Sequence, residues 1–212
     1  MRLPALLALL VVTPLALVGC SSSTGGTAST STPTSTGTST GETGSNGGTT
    51  EHGAPKVKTP LDFAKSSAKP CGLLSAAQLQ QLGMTGAAGK DITAGAGPAC
   101  EWNDFSGASG QSVGFTFVSG DGGLDYLYET KDTFELFEPQ PPVQGYPALL
   151  NSALDARKSG VCTLDVGLTD KQILTTTVQM RSGGTPAPRF AEPCVVAKEA
   201  VDLALTTIKG GS

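Results

Sequence analysis

Four cysteines, Cys71, Cys100, Cys162 and Cys194, lie in the part of the chain that carries its large apolar residues, and any fold it adopts must bring them together in twos. The amino-terminal stretch reads as an export signal, a context in which an even set of cysteines oxidises to disulfides. Four cysteines allow three pairings. Cys71 and Cys194 each follow a proline, in Lys69-Pro70-Cys71 and Glu192-Pro193-Cys194, and each adjoins a helical stretch. Cys100 and Cys162 sit in strand-like runs, Cys100-Glu101-Trp102 and Cys162-Thr163-Leu164-Asp165-Val166. Joining helix start to helix start and strand to strand is the simplest arrangement, so Cys71 with Cys194 and Cys100 with Cys162 is the expected pairing, followed by the sequential one. Spacings of 29, 62 and 32 residues contain no close Cys-x-x-Cys pair. No metal site is expected from them.

Local patterns fill the space between the cysteines. Ser75 and Gln78 have the spacing of a helix capping box, Leu74 and Leu79 that of a hydrophobic staple, and Gly83 that of a helix stop. Val113, Phe115 and Phe117 alternate with Gly114, Thr116 and Val118, which predicts a half-buried strand that pairs with the one at Cys100. Residues 122–133 predict a short helix with Leu124, Leu127 and Tyr128 on one side. Glu138-Pro139-Gln140-Pro141-Pro142 predicts a surface loop or an edge, because proline cannot donate to a ladder. Tyr146 to Asn151 is a further strand. Cys162, Leu164, Val166 and Leu168, then Leu174, Thr176, Val178 and Met180, predict an antiparallel hairpin with one covered face. Residues 193–208 give the longest helix, its core stripe running through Cys194, Ala197, Val201, Ala204, Leu205 and Ile208. The expected fold class is α+β: a mostly antiparallel sheet with an N-terminal helix and a longer C-terminal helix packed on it, held by two disulfides.

The chain ahead of this domain has another character. Met1-Arg2 gives a short positive start, and the sixteen residues Leu3 to Val18 are almost wholly apolar but interrupted by Pro4 and Pro14. That is too short and too broken for a spanning helix, which needs about 20 apolar residues. Leu17-Val18-Gly19-Cys20 at its end resembles the bacterial lipobox. By that resemblance residues 1–19 form a cleaved signal peptide and Cys20 carries a lipid. Residues 20–58, rich in Ser, Thr and Gly, predict a disordered linker, with too little apolar surface to offset the entropy of ordering. Its r.m.s. reach is roughly 35 Å. The folded domain is expected over residues 59–212, long enough for one domain with a genuine core.

Charge narrows the partners. Without Arg2, 13 basic residues face 18 acidic ones, a net charge near −5. No basic stripe is present, so neither nucleic acid nor anionic lipid is expected as an electrostatic partner. The membrane is expected as a partner only through the lipid on Cys20, which places the protein on the extracytoplasmic face of the cell membrane.

The ordered set Pro70-Cys71-Gly72-Leu73-Leu74, Cys100-Glu101-Trp102, Gly145-Tyr146-Pro147-Ala148, Gly160-Val161-Cys162 and Pro193-Cys194 follows a lipobox and a Ser/Thr linker. Together these features resemble the actinobacterial lipoproteins of the domain of unknown function 3558 family. The resemblance implies an envelope lipoprotein of a high-GC Gram-positive cell and brings no established activity or catalytic residue with it.

The residue inventory points away from catalysis. The only histidine, His52, falls in or beside the predicted linker, which leaves no Ser-His-Asp or Cys-His site in the fold. Oxidised cysteines supply no thiolate. The acids Asp121, Asp125 and Glu129, and Glu135 with Glu138, have the spacing of solvated faces. No cofactor is expected, since no phosphate-binding loop appears. Tyr126, Tyr128, Phe134 and Phe137 cluster in a chain poor in aromatics and form the candidate binding surface for an envelope protein, a glycan or a lipid. The expected function is that of a non-catalytic binding or interaction module. A carrier of a hydrophobic ligand and an envelope enzyme using carboxylates are the alternatives.

Overall fold

The structure is a computed structural model that describes residues 48–210 apart from 94 and 121. The signal segment, Cys20, the linker as far as residue 47, and Asp121 therefore lie outside the described residues.

Among the described residues seven strands form one sheet: β1 (Gly89–Asp91), β2 (Ala99–Asn103), β3 (Gln111–Ser119), β4 (Leu136–Val143), β5 (Tyr146–Ser152), β6 (Val161–Thr169) and β7 (Gln172–Met180). Their order is β1-β2-β3-β7-β6-β5-β4, and every neighbouring pair is antiparallel. Four α-helices among the described residues accompany it: α1 (Ala64–Ala68), α2 (Ala76–Gln81), α3 (Gly123–Glu129) and α4 (Pro193–Lys209). This is the α+β architecture predicted from the patterns. The proline-rich stretch is β4, an edge strand whose register slips between Gln140 and Val143, where prolines leave the ladder without donors.

The strand alternation decides which residues meet the long helix. Leu164, Val166 and Leu168 of β6, Leu174, Val178 and Met180 of β7, and Val113, Phe115 and Phe117 of β3 are buried on one face. On that face α4 lies over β6 and β7. It presents Val196, Ala197, Ala200, Val201, Ala204, Leu205 and Ile208, all buried. The alanines let the helix come close, and each fully buried Val, Leu or Ile contributes about 1.5–3 kcal/mol. Trp102 packs edge-on to Phe115 in the same core. The capping box at the start of α2 is complete, with the Ser75 hydroxyl and the Gln78 side chain each accepting from the other's backbone N–H. Gln78 also donates from its amide nitrogen to the Leu203 carbonyl and the Thr207 hydroxyl, which ties α2 to α4.

The disulfides join Cys71 to Cys100 and Cys162 to Cys194, correcting the pairing preferred from local context. The reason is strand order. β2 and β6 are separated by β3 and β7, three steps of about 4.8 Å. Cysteines on them stand about 14 Å apart, beyond the roughly 7 Å over which two Cα atoms can be bridged. Each strand cysteine instead meets the turn or helix packed on its own part of the sheet: Cys71 in the 3-10 turn Pro70–Gly72 and Cys194 in the first turn of α4.

Order also begins earlier than the composition implies. Thr49 pairs with Pro55 across a tight turn, Ala54 is buried, and the Val57 amide donates to the Asp170 carboxylate at 2.8 Å. Two apolar side chains and a clasp of hydrogen bonds hold a stretch whose average composition reads as linker. Residues 48–57 form a strap across the sheet's second face.

Candidate functional site

The second face of the sheet carries the odd-numbered residues of β5, β6 and β7 and the even-numbered residues of β3. It is only partly covered. Leu124 of α3 and Ala54 of the strap pack there on Leu149 and Ile173, with Val118, Leu127, Tyr128 and Phe137 around them. Gly123 allows this approach: its φ is +53°, and a Cβ there would stand 2.6 Å from the Asp170 carbonyl oxygen. Beside this small second core the sheet stays open, forming a cleft of about 730 Å³. Val118, Leu127 and Ile173 form its apolar wall, and Tyr126, 57 % exposed, stands among the lining residues.

Its floor is polar. Asp165 lies opposite Leu149 on β5 and Thr175 on β7, and it is only 3 % exposed. The Asn151 amide and the Thr175 hydroxyl each donate to a different oxygen of its carboxylate. Burial pushes the Asp165 carboxyl up to about 6, against the opposing pull of those two donors. Thr163 completes the floor, and Glu51, His52, Asp125, Glu129 and Lys171 are the charged or titratable residues elsewhere in the lining.

The strap supplies one wall. Thr50 donates its hydroxyl to Asp125, and the His52 amide donates to the same oxygen at 2.9 Å. Burial works to raise the Asp125 carboxyl, but these donors outweigh it and hold the group below its ordinary value. The His52 ring lies 3.7 Å from Glu129. His52, expected in or beside the linker, thus lines the cleft, and the fold does hold a histidine.

The four aromatics of the candidate binding surface divide. Tyr128 meets Phe137 edge-on at 5.0 Å, and Phe134 stacks on Phe137 at 6.4 Å, a half-buried group beside the second core. Tyr126 alone lines the cleft. Of the acids singled out by spacing, Asp125 and Glu129 line the cleft. Glu135 accepts from the Asp155 amide and Glu138 pairs with Arg157, so both serve the loop at Asp155. Asp165, Asn151, Thr163 and Thr175 were not singled out from the sequence. Their signal is in the strand register: on their face stand Leu149, Ile173 and Val118, apolar residues that a fully solvated face would not need. Among the described residues no three His, Cys, Asp or Glu side chains converge to hold a metal ion, and no helix is long and apolar enough to cross a membrane.

No curated protein and no solved structure is similar to the chain at a significant level. Residues 15–207 match the family described as "Protein of unknown function (DUF3558)", a span that takes in the cleft and both disulfides, and the chain belongs to that family.

Proposed function

We propose that the protein is a lipid-anchored lipoprotein of an actinobacterial cell envelope, held on the extracytoplasmic face of the membrane through Cys20. Its domain is a non-catalytic binding module that takes a ligand or partner in the cleft over Asp165. The cleft carries this reading: a volume of about 730 Å³ with an apolar wall and a few converging polar groups is the usual form of a ligand site. The anchor rests on Leu17-Val18-Gly19-Cys20, since a diacylated or triacylated cysteine gives durable attachment where one chain gives reversible contact.

Two experiments test the two halves. Cys20→Ser should move the protein from the membrane fraction to the soluble fraction, and retention at the wild-type level contradicts the anchor. A photo-cross-linking residue in place of Tyr126 should capture a specific partner in intact cells, and one in place of the exposed Leu154 should not. Equal capture at both positions counts against the cleft.

The raised carboxyl of Asp165 is the observation that favours an envelope enzyme. General acid and base chemistry on two carboxylates needs a second acid free to act. Asp165 has an amide and a hydroxyl as partners, Asp125 holds the strap, Glu129 lies beside His52, and Glu51 is exposed on the strap. Binding is the better supported reading. An open cleft with carboxylates in its lining is also a poor fit for a carrier that encloses a lipid chain.

A further inference from the structure

Resting on the reading of the cleft as a binding site, the geometry points to its ligand class: an organic cation, a protonated amine on an apolar body, with the ammonium group on Asp165 and the body against Val118, Ile173 and Tyr126. Three observations support this. The charged lining is acidic, with Glu51, Asp125, Glu129 and Asp165 against Lys171 and the titratable His52. Asp125 already accepts the strap's Thr50 and His52 donors on one oxygen, and Glu51 and Glu129 are exposed to solvent, so Asp165 is the buried carboxylate of the cleft. An ionised carboxylate accepts about four hydrogen bonds, and the protein supplies Asp165 with two, from Asn151 and Thr175.

Placement decides between a cation and a neutral polyol. A carboxylate this deeply buried is held in its charged form at a cost, and an arriving positive charge relieves that cost where a hydroxyl relieves little of it. The apolar wall argues against a small inorganic cation, which needs several oxygen ligands and gains nothing from Val118, Leu127 and Ile173. Tyr126 offers a ring face to either the apolar body or the charge.

The probes are 2-phenylethylamine, 2-phenylethanol and phenylacetate, which share one body and differ in charge. Binding is measured by calorimetry and by shifts of the ring signals of Tyr126, using the full-length protein in lipid nanodiscs with empty nanodiscs as the blank. At pH 7.5 the amine should bind at least tenfold more tightly than the alcohol, and phenylacetate most weakly. Lowering the pH to 5 should weaken the amine about tenfold, as Asp165 takes up a proton, and leave the alcohol unchanged. Glu51, His52, Asp125, Glu129 and Lys171 also face the cleft, so the isosteric Asp165→Asn isolates the floor: it should remove the advantage of the amine and flatten its pH dependence. The comparison of amine with alcohol needs no variant and stands even if that substitution disturbs folding. Equal or tighter binding of the alcohol or the carboxylate at the same ring signals overturns the cation inference and leaves the binding cleft in place. No binding of any probe at millimolar concentration, with the Tyr126 signals unmoved, overturns both.

Discussion

Replacing Cys162 and Cys194 together by alanine is expected to lower the free energy of unfolding by about 3 to 4 kcal/mol, the loop-closure contribution of a bridge spanning about 30 residues. The structural reason is where the bridge falls. Cys162 lies near the start of β6 and Cys194 in the first turn of α4. The bond joins the helix, at its first turn, to the strand that it covers. Without it, the unfolded chain recovers the freedom of the loop between them. In urea the midpoint should fall by about 1 to 3 M, and the slope should steepen because the unfolded chain without the cross-link exposes more surface. A loss under about 1 kcal/mol would show that packing alone docks α4. A peptide map with Cys71 linked to Cys194 would contradict the pairing itself.

The second large effect is a pH dependence. The carboxyl of Asp165 is held up to about 6 in the folded chain, against 3.8 for the unperturbed group. The folded state therefore binds more protons than the unfolded one between these values. Its contribution is fully present below about 3.8 and is lost as the pH rises through about 6. Two units correspond to about 3 kcal/mol. Carboxylates such as Asp155, held down to about 2 by Arg157, act in the opposite sense, so the wild-type curve alone mixes the two. The informative quantity is the stability of Asp165→Asn minus that of the wild type. It should grow by about 2 to 3 kcal/mol from pH 4 to pH 7, by urea titration at each pH. A flat difference would mean that Asp165 is ionised as easily as an exposed acid.

Much of the architecture was legible in local signals. Ser75 and Gln78 are a complete capping box because both partners lie within one turn, where the sequence shows them together. The alternation through Cys162 to Leu168 and Leu174 to Met180 gives a hairpin, since period 2 is set by the pleat. Local context favours the wrong disulfide pairing because pairing depends on how strands are ordered. That β3 pairs with β7 across more than fifty residues has no local trace. Composition gives residues 48–57 as linker for a related reason. Thr50, Ala54 and Val57 look unremarkable in a Ser/Thr-rich tract, and their partners Asp125, Leu124 and Asp170 lie far along the chain. The cleft was missed with them, as it consists of the strap, α3 and the second face taken together. Tyr126 was singled out as unusual for its type. Asp165 passed as a polar residue on an exposed alternation, and only the cover supplied by α3 and the strap makes it a buried acid.

The sequential pairing of the cysteines also bears on how the chain matures. An exported polypeptide, as proposed for this one, emerges from its amino-terminal side, and with Cys20 taken up by the lipid the free thiols reach the oxidising side in the order Cys71, Cys100, Cys162 and Cys194. Each native bond joins one cysteine to the next to emerge, across 29 and 32 residues. An oxidant acting in order of arrival therefore makes the correct bonds. The Cys71–Cys100 bond can close while β7, the distant partner of β3, is still on the other side. On that proposed route neither native bond calls for thiol–disulfide isomerisation, the slow step for proteins with crossed connectivity.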